Sequence, residues 1–201
     1  WDEAGYELFS GVNVPSKAFG EFVEYEYGTP HLPAEELKGK IEAGEDIVVL
    51  DSRPLQEFLR MSIPGAICCP GAELVYRVPE IVAHPETLVV VNCAGRTRSI
   101  IGSQSLINAG IPNRVVALKN GTMGWHLAGY ALEHGKSRIA PEVSAQGVER
   151  SKVFVERVKN RFSVPSIDMA QLQRFREQSL ERSLFLLDVR SEDEFEVGHL
   201  P

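Results

Sequence analysis

The strongest constraint on the fold is that the chain repeats itself. Trp1-Asp2-Glu3-Ala4-Gly5-Tyr6-Glu7-Leu8-Phe9-Ser10-Gly11 recurs as Trp125-His126-Leu127-Ala128-Gly129-Tyr130-Ala131-Leu132-Glu133-His134-Gly135, with six of the eleven positions identical at an offset of 124. Ser16-Lys17, Phe19, Glu21, Val23 and Pro30 recur as Ser151-Lys152, Phe154, Glu156, Val158 and Pro165, at an offset of 135. Asp51-Ser52-Arg53, Glu57-Phe58 and Pro64 recur as Asp188-Val189-Arg190, Glu194-Phe195 and Pro201, at an offset of 137. Three blocks in one order mean a single structural unit used more than once. Residues 1–13 then read as the C-terminal tail of one unit and 16–135 as a complete unit. Residues 136–149 read as a linker, and 150–201 as the truncated N-terminal part of a third unit. A part-unit lacks some of its own core, so the flanks are expected to pack on the central unit or to fray.

Within 16–135, helical and strand patterns alternate, which specifies an α/β domain with a mainly parallel central sheet. Ala34 to Ala43 carries good helix formers, with Leu37 and Ile41 at helical spacing and Gly44 as a stop. Ile47 to Leu50 and Leu88 to Val91 are continuous apolar runs, as expected of strands covered on both faces. A short helix is predicted from Pro54 to Arg60, and short strands over Ala66–Cys69 and Arg114–Leu118. A helix follows from Ser99 to Ala109, closed by Gly110, and a turn over Gly121–Gly124. Ser151 to Arg161 reads as a mixed-charge helix acting as a connector or exposed face. Ligands of such sheets bind beyond the carboxyl ends of the strands, which directs attention to the loop after Val91.

Charge and composition exclude several functions. A net charge of −7 argues against non-specific nucleic-acid binding, which needs a basic surface. No apolar run approaches the roughly 18 residues of a membrane span, and the opening residues have no signal-peptide pattern. Three cysteines, two of them adjacent, make no disulfide framework and suit a reducing, cytoplasmic setting. The five histidines are scattered and no Cys or His pair has zinc-ligand spacing, so no metal is expected.

The segment suited to chemistry is Asn92-Cys93-Ala94-Gly95-Arg96-Thr97-Arg98-Ser99, between a buried strand and a helix start. A cysteine at a helix N-terminus with arginines beside it is favoured as thiolate. Gly95 is expected to open backbone angles closed to other residues, so that successive N–H groups form an anion-binding nest. Arg96 and Arg98 offer planar cationic forks for oxyanions. The plainer reading is a small core cysteine at a strand end; the glycine, the arginines and the helix start together favour the reactive one.

Cys93 to Arg98 resembles the six-residue active-site loop of the rhodanese-like sulfurtransferases. Leu50-Asp51-Ser52-Arg53, Glu57-Phe58 and Ile63-Pro64-Gly65-Ala66 are similar to that family's first signature, and Gly121-Thr122-Met123-Gly124-Trp125 to its closing one. Ser62 departs from the pattern where the family has His, which the second copy keeps as His199. The resemblance implies a three-layer α/β fold flanked by partial copies of itself, as in tandem bacterial thiosulfate sulfurtransferases. It implies Cys93 as the persulfide-forming nucleophile and Ala94, Gly95, Arg96, Thr97, Arg98 and Ser99 as the anion-binding loop. The implied substrates are a small anionic sulfur donor and a thiol, cyanide or protein acceptor. Beyond the persulfide itself no cofactor is implied, and the remaining partners are other units of the same chain, not nucleic acid or membrane. Two rivals stand: a dual-specificity-type phosphatase, whose loop is one residue longer, and a non-catalytic binding or regulatory module. Arg98 lies five positions after Cys93, the shorter spacing.

Other residues receive structural roles. Asp51, Arg53 and Glu57 read as an ion-pair network, with Arg53 and Glu57 at helix-surface spacing. Cys68 and Cys69 read as core, Trp125 as a packing residue of the pocket wall, and Lys119 as a solvated charge.

Overall fold

The two apolar runs become the two central strands. β2 (Ile47–Asp51) and β4 (Leu88–Asn92) pair in parallel along their whole length, from Ile47 opposite Leu88 to Asp51 opposite Asn92. β3 (Ile67–Cys68) extends the sheet beside β2, while β5 (Val115–Leu118) and then β1 (His31–Leu32) extend it beside β4. All pairings are parallel and the order is β1-β5-β4-β2-β3. The chain runs outward from β2 to β3 and then returns to β4, so the topology reverses between the ends of β2 and β4. At such a reversal the flanking connections diverge to opposite faces and leave a crevice. Asp51 and Asn92 stand at it. The computed structural model describes residues 2–5, 14–178 and 180–201.

Alternation along the strands divides the core into two layers. Val49, Val90 and Val116 face one side, with Leu37 of α2 (Ala34–Glu42), Phe58 of α3 (Leu55–Arg60) and Trp125 of α6 (Gly121–Leu127). Leu50, Val89, Val91 and Val115 face the other, with Leu74 and Val78 of α4 (Leu74–Ile81) and Leu106 of α5 (Thr97–Ala109). Helices on both faces of a parallel sheet make the expected three-layer α/β fold. α1 (Val14–Tyr27) lies outside this sandwich against α5, where Val23, Ile100 and Ala117 form a third small cluster.

Several elements differ from their sequence reading. Residues 121–127 form a helix rather than a turn, because Asn120 and Gly121 adopt the left-handed conformation, with φ of 59° and 54°, and aim the chain into α6. The helix after Cys93 starts at Thr97 and ends as expected at Gly110, with φ of 73°. α1, α4 and β1 had no sequence forecast; α4 carries Pro79 near its end, which hides its helical pattern.

The chain divides into two compact units, 1–162 and 163–201. The sequence boundaries at 135 and 150 do not coincide with this division. α7 (Ala145–Phe162) belongs to the first unit because it docks on α4 through small residues. A Cβ on Gly147 would fall 2.1 Å from Glu80 Oε1, and Ser151 Oγ donates to Tyr76 O at 3.3 Å. Ser144 Oγ and Arg157 add hydrogen bonds to Glu80 and Gly110 O. The expected tail at 1–13 falls mostly outside the described residues.

The second unit contains α8 (Met169–Glu177) and α9 (Glu192–Val197). Phe185, Leu187 and Val189, the counterparts of β2 and its exit, are exposed. Even so, Arg190 grips Asp188 and reaches Gly198 O at 2.8 Å, as Arg53 grips Asp51 and reaches Met61 O at 2.7 Å.

Candidate active site

Cys93 leaves β4 at its carboxyl end and is 2% exposed. The neighbouring residue fixes the strand ends beneath it. Asn92 Nδ2 donates to Asp51 Oδ2 at 2.8 Å and to Thr122 Oγ1 at 2.9 Å. Asp51 also accepts from Arg53 N, Nε and Nη2 at 3.1, 2.8 and 2.7 Å. Arg53 is buried, so its charge requires this carboxylate. Asp51, Asn92 and Thr122 thus tie β2, β4 and α6 together directly under the cysteine.

The loop backbone is oriented from α6. Thr122 N–H donates to Cys93 O at 2.8 Å and Met123 N–H to Ala94 O at 3.0 Å. Such close approach requires a glycine at 121, since a Cβ there would lie 2.3 Å from Cys93 O and 2.8 Å from Gly95 O. The conformational burden assigned to Gly95 therefore falls on Gly121. Gly95 does not take a left-handed conformation, and a Cβ on it would meet nothing within 4 Å. The Cys93 and Ala94 carbonyls accept from α6, and among the described residues the first turn of α5 donates to neither. Its first capped amide is Ile100 N–H, which donates to Arg96 O at 3.2 Å. Among the described residues, the N–H groups of Ala94, Gly95, Arg96, Thr97, Arg98 and Ser99 donate to no protein acceptor. Unsatisfied donors at a helix N-terminus form a setting for negative charge. The Cys93 thiol itself lies 3.5 Å from Ser99 Oγ, which donates its proton to Arg96 O at 2.8 Å.

Neither loop arginine stands free. Arg98 Nη1 and Nη2 donate to Glu57 Oε1 and Oε2 at 2.7 and 2.8 Å. This bond holds the Glu57 carboxyl below its ordinary pKa and raises that of Arg98, to which the charges of Glu57, Cys93 and Asp51 also contribute. The Arg53–Glu57 pairing suggested by spacing does not form, because Asp51 and the Met61 carbonyl occupy the Arg53 fork. Arg96 pairs with Glu21 at 3.0 Å and with Glu24, both on α1. Thr97, at the helix start, packs so closely on α1 that a Cβ on Gly20 would sit 2.8 Å from its Cγ2. Glu21 and Glu24 had no functional reading in sequence; Asn92 offered its place next to Cys93 and Gly121 its place in the closing signature, but neither announced these contacts.

The remaining residues are as follows. Cys68 and Cys69 are buried, and burial pushes their thiols up to about 11 and about 12, which keeps both protonated. Trp125 is buried, donates to Ala131 O at 2.9 Å and packs on Tyr130. Lys119 is exposed at the rim of a cavity of about 220 Å³ that Glu24, His31, Arg96 and Ser99 also line. Ser62 exchanges backbone hydrogen bonds with Glu133, closing the chain against the α3 exit. Among the described residues no group of three or more His, Cys, Asp or Glu is placed to hold a metal, and no helix is long and apolar enough to cross a membrane.

The family model of the rhodanese-like domain matches residues 33–128. A crystal structure of a thiosulfate sulfurtransferase from Pseudomonas aeruginosa is 52% identical over 100% of this chain, which covers 38% of that one, with a TM-score of 0.87. An HTH-type transcriptional regulator of Mycobacterium tuberculosis is 33% identical over 100 residues, 50% of this chain and 43% of the relative. A putative sulfur carrier protein of Bacillus subtilis is 25% identical over 96 residues, 48% of this chain and 50% of the relative. The chain thus spans about half the length of the curated relatives it matches.

Proposed function

Residues 33–128 form a rhodanese-like domain, and on that premise we propose that the chain moves sulfane sulfur from a small anionic donor to a thiol or cyanide through a persulfide on Cys93. Thiosulfate is the first donor to test, in view of the Pseudomonas aeruginosa relative. The observation that carries the reading is the run of six amides, Ala94 to Ser99, following the cysteine at the start of α5, none of which donates to a protein acceptor among the described residues. They suit an anion at Cys93, and a persulfide is one.

The chemistry is two displacements. The Cys93 thiolate attacks the outer sulfur of thiosulfate; the donor's S–S bond breaks, its electron pair leaves with sulfite, and a Cys93 Sγ–S bond forms. An acceptor thiolate or cyanide then attacks the outer sulfur, and the electron pair returns to Cys93. The amides of Ala94, Gly95, Arg96, Thr97, Arg98 and Ser99 hold the negative charge, and Arg96 and Arg98, paired with Glu21, Glu24 and Glu57, flank the mouth. The scheme calls for no metal or organic cofactor. A protein acceptor and a cytoplasmic setting belong to the same reading. So does a tandem arrangement, supported by the repeat and by the Asp188–Arg190–Gly198 clasp.

The test is intact mass spectrometry after thiosulfate treatment. A gain of about 32 Da on Cys93, the mass of one sulfur atom added by displacement, is expected, and Cys93→Ser is expected to abolish both the gain and turnover. An unmodified Cys93 together with aryl-phosphate hydrolysis would move the assignment to a phosphatase. Inertness in both assays would leave a binding module.

A further inference from the structure

The repeat exposes a difference that bears on the Cys93 site. In the second unit Glu194 closes a capping box at the start of α9: its carboxylate accepts from Ser191 N–H at 3.0 Å and Ser191 Oγ at 2.8 Å. The equivalent residues of the first unit are Pro54 and Glu57. Proline has neither an amide hydrogen nor a hydroxyl, so Glu57 cannot cap its own helix. The N-cap of α3 accordingly has no side-chain hydrogen bond, and the freed carboxylate turns to Arg98, 41 residues away.

That bond has an electrostatic consequence. Arg98 uses both terminal nitrogens on Glu57, and Arg96 is matched by Glu21 and Glu24. Two cations at the loop therefore face three carboxylates, and a donor arrives at a nearly balanced field instead of two open guanidinium groups. We propose that Glu57 is a specificity-determining positioning residue, which fixes Arg98 and offsets its charge so that the Cys93 site discriminates against doubly charged sulfur donors. The offset weighs least on a singly charged donor, such as an organic thiosulfonate or alkyl persulfide. This rests on the sulfurtransferase reading for the identity of the donors, but not for the charge effect.

The experiment compares wild type, Glu57→Gln, Glu57→Asp and Pro54→Ser, each checked for folding by circular dichroism. One readout is the ratio of kcat/KM for thiosulfate, a dianion, to that for methanethiosulfonate, a monoanion. Glu57→Gln is expected to raise the ratio about fivefold at low ionic strength, the scale of one charge acting across a partly hydrated site, and the gain should vanish in high salt. Pro54→Ser, which returns to Glu57 both groups of a cap, is expected to shift the ratio in the same direction. Glu57→Asp should stay near wild type. The second readout needs no turnover: the ratio of Cys93 alkylation rates by iodoacetate and by neutral iodoacetamide, located by mass spectrometry. A rise in that ratio without thiosulfate turnover keeps the charge role and removes the donor assignment. A flat ratio in folded Glu57→Gln, with thiosulfate turnover intact, overturns the charge role and keeps the donor.

Discussion

Gly121→Ala should damage the cysteine loop far more than the same change at another left-handed glycine. Gly121 and Gly129 have φ of 54° and 84°, so an alanine at either position carries backbone strain of about 1–2 kcal/mol. Their surroundings differ. A Cβ on Gly129 meets nothing within 4 Å, whereas on Gly121 it would lie 2.3 Å from Cys93 O, 2.8 Å from Gly95 O and 2.9 Å from the Ala94 carbonyl carbon. These are backbone atoms that no rotamer change can move aside. Overpacking of this kind adds about 1–3 kcal/mol, so Gly121→Ala should cost about 2–5 kcal/mol in all. At roughly 2–4 °C per kcal/mol for a chain of this size, its Tm should fall by about 4–20 °C, and that of Gly129→Ala by about 2–8 °C. The loop must move to relieve the clash, loosening the Thr122–Cys93 and Met123–Ala94 hydrogen bonds. A displacement near 1 Å in a reacting group costs about 100-fold in rate. Differential scanning calorimetry and steady-state sulfur transfer measure the two effects. If Gly121→Ala matched Gly129→Ala in both Tm and rate, α6 would not be what shapes the cysteine loop.

Asp51→Asn leaves the Arg53 charge buried without its counter-ion and should cost about 3–5 kcal/mol by urea unfolding, whereas Asp188→Asn, on the exposed copy of the same clasp, should barely move the midpoint. Stability should also decline in alkali between pH 9 and about 12. Cys68 and Cys69 stay protonated in the fold up to about 11 and about 12, while in the unfolded chain they ionise from their ordinary value of 9.0. The unfolded state thus binds fewer protons across that window and gains on the native state as pH rises. Urea midpoints measured through the window should fall less steeply in a Cys68→Ala/Cys69→Ala variant.

What could be read in sequence was whatever is encoded locally. β2 and β4 were visible because strands buried on both faces read as continuous apolar runs, here Ile47–Leu50 and Leu88–Val91, and the end of α5 because Gly110 terminates it. The cysteine loop was visible because cysteine, glycine and arginine fall within six residues at a strand–helix junction. The hidden features of the site are long-range. Nothing near Gly121 announces that its missing Cβ makes room for Cys93 O, 28 residues earlier, and nothing near Glu21 or Glu24 announces Arg96. Spacing alone misassigned Glu57 to Arg53. An exposed helix pair contributes only about 0.2–0.5 kcal/mol, and the buried Asp51 carboxylate made a stronger claim on the same guanidinium.

The two copies of the Asp–Arg clasp separate what local sequence does from what the sheet does. In the first unit the clasp is buried and bonded to Asn92, the residue before Cys93; in the second it forms with the same donors and acceptors while Phe185, Leu187 and Val189 remain exposed. Burial is therefore not what creates the geometry. The two-residue step from aspartate to arginine, with a carbonyl eight residues beyond the arginine, closes a local ring that bends the chain out of the strand and into the following helix. A contact of such short sequence separation costs little loop-closure entropy and can precede sheet assembly. The buried copy then gains its strength when β4 arrives and Asn92 joins it. On this argument Arg53→Lys, which keeps the charge but loses the fork, should slow folding of the first unit as well as destabilise it. Stopped-flow refolding with an unchanged rate and faster unfolding would show instead that the clasp forms only after the sheet.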